Sequence, residues 1–589
     1  MAKRIAIVER EKCHPTKCGN YWCKFACPVN REGDACIGVG EDKKVVIDEQ
    51  LCIGCGICVK CPFDALKIIN LPERLRKDPL FRYGKNQFEL FSLPLPKKNT
   101  LVGIIGRNGI GKSTALSILS NEVVPNFGDY TMQGSQEMVI KHFSTNVLGD
   151  YFSALYGGAL RVAYKPQRIE LLPEVYNGKV SHLLEKVDER GIVGELIESL
   201  SLSYLQDREI KELSGGELQR LAIAATLARK ADFYFFDEPA SFLDILQRIK
   251  AANIIRKYTA GASAIIVEHD LATLDYLSDE IQIIYGEGGA YGVVSQSKGV
   301  RRGINEYLDG YLPDDNVRFR DYAISFKQSL APNTVQREIK ADYPDFNKSF
   351  SSFSLSARGG SLHRGEVLCI MGANGLGKTT FLRVLSGLEQ ADDTGVSSLK
   401  ITYKPQYLQR PDGKVGELLI AFAGERFSSG WYKQNILEKL HLSKILENDV
   451  ATLSGGELQK FAVALTLSQD ADLYAFDEPS AFIDVEDRLS VAEVIKEFVT
   501  KYEAAAIVVD HDIQFVDYLA DSLLVFEGTP GSFGKVAGPV SKEEGMNRVL
   551  RMLDITYRRD KLTHRPRINK PGSQLDTEQR REGKHYATA

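Results

Sequence analysis

An eight-residue run, Leu213-Ser214-Gly215-Gly216-Glu217-Leu218-Gln219-Arg220, returns almost letter for letter as Leu453-Ser454-Gly455-Gly456-Glu457-Leu458-Gln459-Lys460. A serine and two glycines opening a helix-forming run present hydroxyl and backbone N–H groups to an anion, and the helix N-terminus adds partial positive charge. Each copy is followed by an apolar strand ending in two carboxylates. These are Phe233 to Phe236 before Asp237-Glu238-Pro239, and Leu473 to Phe476 before Asp477-Glu478-Pro479. Ser214 and Glu238 are 24 positions apart, and so are Ser454 and Glu478. A chain of 589 residues predicts several domains, and this repeat fixes two of them to one α/β design.

The phosphate-binding half of each domain lies upstream. Leu101 to Ile105 reads as a strand and leads into Gly106-Arg107-Asn108-Gly109-Ile110-Gly111-Lys112-Ser113, with a helix opening at Thr114. Val367 to Met371 leads likewise into Gly372-Ala373-Asn374-Gly375-Leu376-Gly377-Lys378-Thr379 and then Thr380. In G-x4-G-K-[ST] the loop amides cradle phosphates, the lysine reaches the outer ones and the hydroxyl takes Mg²⁺. Asp237 and Asp477, at strand ends, can hold the Mg²⁺ shell. Glu238 and Glu478 can position an attacking water. A further strand in each copy ends in histidine, at His269 and His511. A lone histidine is more often structural, but two at matching places favour a γ-phosphate contact.

Tyr-Lys-Pro-Gln also occurs twice, ending at Gln167 and Gln406, which lie 47 and 48 positions before the signature serines. From Lys112 to Gln167 is 55 positions, against 28 from Lys378 to Gln406. The first copy therefore carries an insertion within Asp129 to Leu160, and its apolar spacing predicts a helix–loop–helix. It is either neutral decoration or a partner contact.

Nine of the ten cysteines fall between Cys13 and Cys61, which points to metal binding rather than a secreted disulfide framework. One group runs Cys52-x2-Cys55-x2-Cys58-x2-Cys61-Pro62, close to the bacterial ferredoxin run but one residue shorter before its last cysteine. The other runs Cys13-x4-Cys18-x4-Cys23-x3-Cys27-Pro28, followed by Cys36. The simplest arrangement is two [4Fe–4S] clusters with crossed ligation. Cys52, Cys55, Cys58 and Cys27 hold one; Cys13, Cys18, Cys23 and Cys61 hold the other; Cys36 is left over. Zinc, which also uses paired cysteines, is the competing reading.

Net charge is near −4, which argues against wholesale nucleic-acid coating while leaving room for local basic patches. No run of eighteen apolar residues occurs, so no transmembrane helix is expected, and the N-terminal apolar run is too short for a signal peptide. Residues 301–320 and 551–589 read as hinges rich in arginine, either solvated or offering phosphate contacts. The polar end, Gln574 to Ala589, is expected to fray.

Taken together, these motifs resemble the ATP-binding cassette ATPases: Walker A, Q-loop, signature, Walker B and switch histidine, each present twice. The resemblance implies that Gln167 and Gln406 join Ser113 and Thr379 around Mg²⁺. It implies that Ser214, Gly216 and Glu217 of one cassette, and Ser454, Gly456 and Glu457 of the other, each close on the ATP held by the opposite Walker loop. It also implies an aromatic stacked on adenine, for which Tyr83 and Tyr343 are candidates. The cysteine module ahead of twin cassettes resembles subfamily E of the ABC proteins, the RNase L inhibitor family.

The expected plan is an iron–sulfur domain over 1–75, a first cassette over 76–300, a hinge over 301–320, a second cassette over 321–550, and a second hinge and tail over 551–589. The family resemblance implies an ATPase that splits post-termination or stalled ribosomes and stays for a time on the small subunit. Its partners would be the small subunit with its rRNA, the large subunit of the intact ribosome, a class-1 release factor or its stalled-ribosome paralogue, and initiation factors. The expected setting is the cytoplasm of an archaeon, away from membranes. Two other classes compete: an ATP-gated redox enzyme and a nucleic-acid maintenance ATPase.

Overall fold

A computed structural model describes residues 4–70, 78–326, 338–393, 400–560 and 563–587. The chain divides into two compact units, Met1–Ile324 and Ser325–Ala589.

The first unit begins with the cysteine module. Arg4–Val8 pairs antiparallel with Leu66–Asn70, so the two ends of the module lie side by side. Between them sit a small hairpin, Ile37–Val39 with Val45–Ile47, and the short helices Trp22–Ala26 and Pro28–Glu32. Its core is thin: Ala6, Val8, Val29, Ile37, Val45 and Ile47 share it with Cys13, Cys23, Cys27, Cys36 and Cys58. A module this small buries too little apolar surface to be robust alone, which is where bound metal usually contributes.

The rest of the unit is a cassette around a nine-stranded sheet. Its parallel centre runs Leu101–Ile105, Ser263–Val267, Phe233–Asp237, Val162–Lys165. The first three of these strands are buried along their whole length. That explains their near-continuous apolar sequence, since parallel strands are covered on both faces. A mixed flank, Phe81–Arg82, Glu89–Leu90, Tyr291–Val294 and Glu280–Glu287, continues the sheet on the other side of the Walker strand, and Lys298–Gly299 pairs with Glu280–Glu287 as the ninth strand.

The inserted interval forms two helices, Gln136–Phe143 and Val147–Tyr156. Ser135 and Asn146 cap them, each accepting a backbone N–H of the first turn. Val139 and Phe152 are fully buried between them, and Tyr151 donates its hydroxyl to the Leu119 carbonyl at 2.6 Å. Met132 and Val147 remain exposed.

Residues 300–320 are folded into the first unit. Helix Val300–Asp309 lays Ile304, Tyr307 and Leu308 inward. Arg320 is buried and donates to the carbonyls of Tyr307 and Leu308, two of the orphan acceptors at that helix's end. This arginine is neither solvated nor available to a phosphate.

The second unit repeats the sheet with the same strand order, centred on Glu366–Met371, Ala505–Val509, Leu473–Asp477 and Ile401–Lys404. Its last segment departs from the expected fraying. Helix Gln574–Glu582 is capped by Ser573, and Asp576, 3 % exposed, accepts the Thr556 hydroxyl at 2.6 Å. Tyr586 is buried and its hydroxyl bonds Asp517, which also holds Arg559 at 2.7 Å and Lys542 at 3.3 Å. The sequence looked detachable because polar groups, rather than an apolar stripe, anchor it.

Replacing Asp517 removes the buried carboxylate that pairs the partly buried Arg559 and Lys542, so Asp517→Ala should destabilise the second unit by about 3 kcal/mol. It should also expose 574–587 to limited proteolysis. A cleavage pattern unchanged from wild type would refute that anchoring role.

Candidate functional site

In each cassette the Walker loop, both carboxylates and the histidine converge at the C-terminal ends of the parallel strands, where open α/β sheets bind ligands. Gly109 and Gly111 take φ of +75° and +88°, Gly375 and Gly377 +76° and +88°. The tight turn needs that left-handed backbone, and a Cβ at Gly111 or Gly377 would also strike the ring of Phe88 or Phe353. Lys112 folds over its own loop onto the carbonyls of Gly106 and Arg107 at 3.0 and 2.6 Å. Lys378 does the same to Gly372 and Ala373 at 2.9 and 2.7 Å. Both ammonium groups are thus aimed at the concavity an anion would fill.

Asp237 is fully buried, neither of its oxygens has a well-formed hydrogen bond, and burial pushes its carboxyl up to about 6. In the second cassette burial likewise raises Asp477, whose Oδ2 accepts Thr379 Oγ1 at 2.7 Å while Oδ1 lacks a partner. A buried carboxylate without a partner is costly. A cation beside Ser113 or Thr379 would remove that cost, so the residues fit Mg²⁺.

Glu238 and Glu478 carry the opposite shift. Burial opposes it, but His269 with Lys112, and His511 with Gln406 and Lys378, hold the two carboxylates below the usual range, Glu478 at about 2. His269 Nε2 lies 3.3 Å from Glu238 Oε1, and His511 Nε2 3.4 Å from Glu478 Oε1. Gln167 and Gln406 each donate to the same oxygen at 2.8 Å. An ionised carboxylate bracketed by an amide and an imidazole can accept a hydrogen bond from water and orient it. Gln167 Oε1 is also 3.5 Å from Ser113 Oγ, so one amide bridges the two candidate functions.

Both glutamates sit at strained φ, +48° and +47°. The backbone that holds them involves residues the sequence reading passed over. Lys165 donates to the carbonyls of Asp237 and Glu238 at 2.7 and 3.3 Å, and Gln219, on the signature helix, donates to the Glu238 carbonyl at 2.7 Å. Lys404 donates to the Asp477 carbonyl at 3.0 Å. Burial lowers both lysines to about 8. Their signal was in plain view, since each is the second letter of Tyr-Lys-Pro-Gln. The acid before each switch histidine is a second such residue. Glu268 accepts the N–H groups of Ala240, His269 and Asp270 at 3.0, 2.7 and 3.1 Å. Asp510 accepts from Ser480 N, Ser480 Oγ and Asp512 N. Each ties the segment after the carboxylate pair to the histidine.

The signature serines are engaged locally. Ser214 Oγ donates to Glu217 and accepts the Glu217 N–H, and Ser454 with Glu457 repeats this capping box. The N–H groups of Gly215, Gly216, Gly455 and Gly456 then form the anion-facing part of each helix start.

Tyr83 is half-exposed, its hydroxyl 2.9 Å from Thr114 Oγ1. Tyr343 cannot stack on a base: it is 4 % exposed with its ring edge-on to Phe381 at 5.6 Å. In the second cassette's matching hairpin the exposed ring is Phe350, with the Lys348 ammonium 5.2 Å above it.

Among the cysteines, the thiols interacting with Cys23 are Cys18, Cys61 and Cys13, and those interacting with Cys58 are Cys52, Cys55, Cys23 and Cys27. Burial pushes both thiols up to about 12. Buried thiols gain from the positive charge of metal centres, because metal binding draws off their protons. Among the described residues no three His, Cys, Asp or Glu side chains are set to hold a single metal ion. Cys27, Cys36, Cys52, Cys55 and Cys58 line one cavity. The donor set fits an iron–sulfur cluster, whose ligands stand further apart than those of one ion.

The module is tied to the first Walker loop. Gly289 N donates to the Gly109 carbonyl at 2.8 Å. The adjacent Gly288 carbonyl accepts Lys67 Nζ at 3.0 Å, and Lys67 pairs with Glu9 at 3.0 Å. Ile5 and Ile7 pack with Ala290.

Family models match at two levels. The ABC transporter model matches residues 92–241 and 356–481, and a model described as "Possible Fer4-like domain in RNase L inhibitor, RLI" matches 4–35. An uncharacterised ABC transporter ATP-binding protein of Methanocaldococcus jannaschii is 47 % identical over 590 residues, 99 % of this chain and 97 % of the relative. A structure described as a model of ribosome-bound archaeal Pelota and ABCE1 aligns with TM-score 0.92 and 48 % identity, covering all of both chains. A crystal structure of archaeal ribosomal stalk protein aP1 with archaeal ribosome recycling factor aABCE1 aligns with TM-score 0.83 and 48 % identity, over 87 % of this chain and 99 % of that one.

Glu268 is pushed up to about 7 from 4.5, chiefly by burial. The native state keeps a proton that the unfolded chain has released. The stability linked to this group is therefore present below about 4.5 and lost as pH rises through about 7, an upper bound of about 3 kcal/mol. Wild type should lose melting temperature relative to Glu268→Gln between pH of about 5 and about 8. Parallel curves for the two proteins would show that the group does not titrate there.

Proposed function

Because the chain belongs to subfamily E of the ABC proteins, the RNase L inhibitor family, we propose that it is an ATP-driven ribosome recycling factor. It splits post-termination or stalled ribosomes and stays transiently on the small subunit. One observation carries this reading: a Fer4-like module and two cassettes on one chain align over 87 % of their length with an archaeal ribosome recycling factor, and over all of it with ribosome-bound archaeal ABCE1. The cassettes make it an ATPase and the module makes it an iron–sulfur protein.

In each cassette Lys112 or Lys378 binds the outer phosphates, and the loop amides hold the nucleotide in register. Ser113 or Thr379, with Asp237 or Asp477, would hold Mg²⁺, which neutralises charge on the phosphates. Glu238 or Glu478 orients water through Oε1, and the switch histidine and Q-loop glutamine keep that oxygen aimed. Tyr83 is offered to adenine in the first cassette and Phe350 in the second. The two thiol neighbourhoods support two [4Fe–4S] clusters with Cys27 and Cys61 exchanged between the sequence groups. Ribosomal subunits and a release factor or its stalled-ribosome paralogue are the partners; the exposed faces of the 136–156 helix pair are offered to the ribosome.

Glu238→Gln with Glu478→Gln should cut steady-state hydrolysis by about 10²-fold or more while leaving ATP bound. Unchanged turnover in the double variant would remove both glutamates from the mechanism. With a non-hydrolysable ATP analogue, the wild type should co-sediment with small ribosomal subunits and convert intact ribosomes to subunits. Failure to do either, together with ATPase stimulated by DNA alone, would move the chain to nucleic-acid maintenance.

A further inference from the structure

Ten cysteines against eight expected ligands leave two over. Cys369 is fully buried in the central strand of the second cassette, where it serves as a small apolar residue. Cys36 is different. It is 2 % exposed, opens the hairpin strand Ile37–Val39, and lines the same cavity as Cys27, Cys52, Cys55 and Cys58. It faces Cys27 and Cys52 across that cavity, and its Sγ lies 3.9 Å from the Asp48 carbonyl. A four-iron cluster takes four thiolates, and five surround this cavity. The principal thiol neighbours of Cys23 are Cys18, Cys61 and Cys13, which with Cys23 itself make four.

We propose that Cys36 is a reserve ligand of the cluster held by Cys52, Cys55 and Cys58, placed to take over from Cys27. This rests on the iron–sulfur reading above. The exchange is a ligand substitution without redox change. The iron–thiolate bond to Cys27 breaks, the Cys36 proton passes to the released Cys27 sulfur, and an iron–thiolate bond forms to Cys36. The backbone makes Cys27 the position needing such cover. It is at once the C-cap of helix Trp22–Ala26 and the N-cap of helix Pro28–Glu32, so movement of either helix acts on it. Cys36 sits instead beside a strand whose register with Val45–Ile47 is fixed by three residue pairs.

The test is iron and acid-labile sulfide per chain, with the visible absorption, in full-length protein purified without oxygen. Cys36→Ala and Cys27→Ala should each keep the wild-type content, and the double variant should lose half of it. Cys61→Ala, from the other set of four, should lose half alone, which calibrates the loss of one cluster. The proposal is overturned if Cys27→Ala is as depleted as the double variant. It is equally overturned if Cys36→Ala alone loses a cluster, since Cys36 would then be a primary ligand. Wild type that carries zinc and no labile sulfide would instead bring down the cluster reading, and this proposal with it. Circular dichroism that matches wild type separates ligand loss from unfolding in each variant.

Discussion

Burying an anion without a partner is among the least favourable things a fold can do, and the first cassette is arranged around one such group. Asp237 closes a strand that is buried from end to end, and no hydrogen bond of good geometry relieves it. The surroundings make sense as devices for tolerating that charge until a cation arrives. Lys112 hangs on loop carbonyls nearby, Lys165 lies behind the strand end, and Ser113 stands at the helix start opposite. The adjoining Glu238 is shifted the other way by His269. Two neighbouring carboxylates pushed apart in acidity can divide their labour, one waiting for metal and the other for water.

The catalytic geometry depends on backbone as much as on side chains. A glutamate at φ near +48° persists only when its neighbours over-determine it. Lys165, Gln219 and Glu268 supply that determination from three separate elements. Lys165 and Gln219 hold the backbone of the glutamate itself, and Glu268 ties the segment just after it to the switch histidine.

Motif letters with matched spacing made the two cassettes, the carboxylate pairs and the histidines legible, because phosphate chemistry restricts both residue type and separation. What stayed hidden was held by tertiary context. Tyr343 and Phe350 lie seven positions apart, and only packing against Phe381 decides which is core. The segment from Gln574 onward has the composition of a loose end, and its burial rests on a buried carboxylate at Asp517 that no local pattern announces. The arginines of 301–320 read as solvated or as phosphate contacts because arginine usually stays wet, whereas Arg320 satisfies helix-end carbonyls. The lysine of Tyr-Lys-Pro-Gln was visible twice; its role needed the distance to a carbonyl.

The glycine turn at 288–289 has a thermodynamic side. Through Gly109 it reads the first Walker loop, and through Lys67 it bears the cysteine module. The second cassette has the same contact, Gly531 N to the Gly375 carbonyl at 2.9 Å, but a side chain added at Gly531 would meet nothing within 4 Å. Two sites with nearly the same letters are therefore unequal in load. Coupling free energy is reciprocal. Whatever nucleotide does to the docking of the module, the docking must do to nucleotide affinity at the first site by an equal factor, so the first pocket doubles as a gauge of where the module stands.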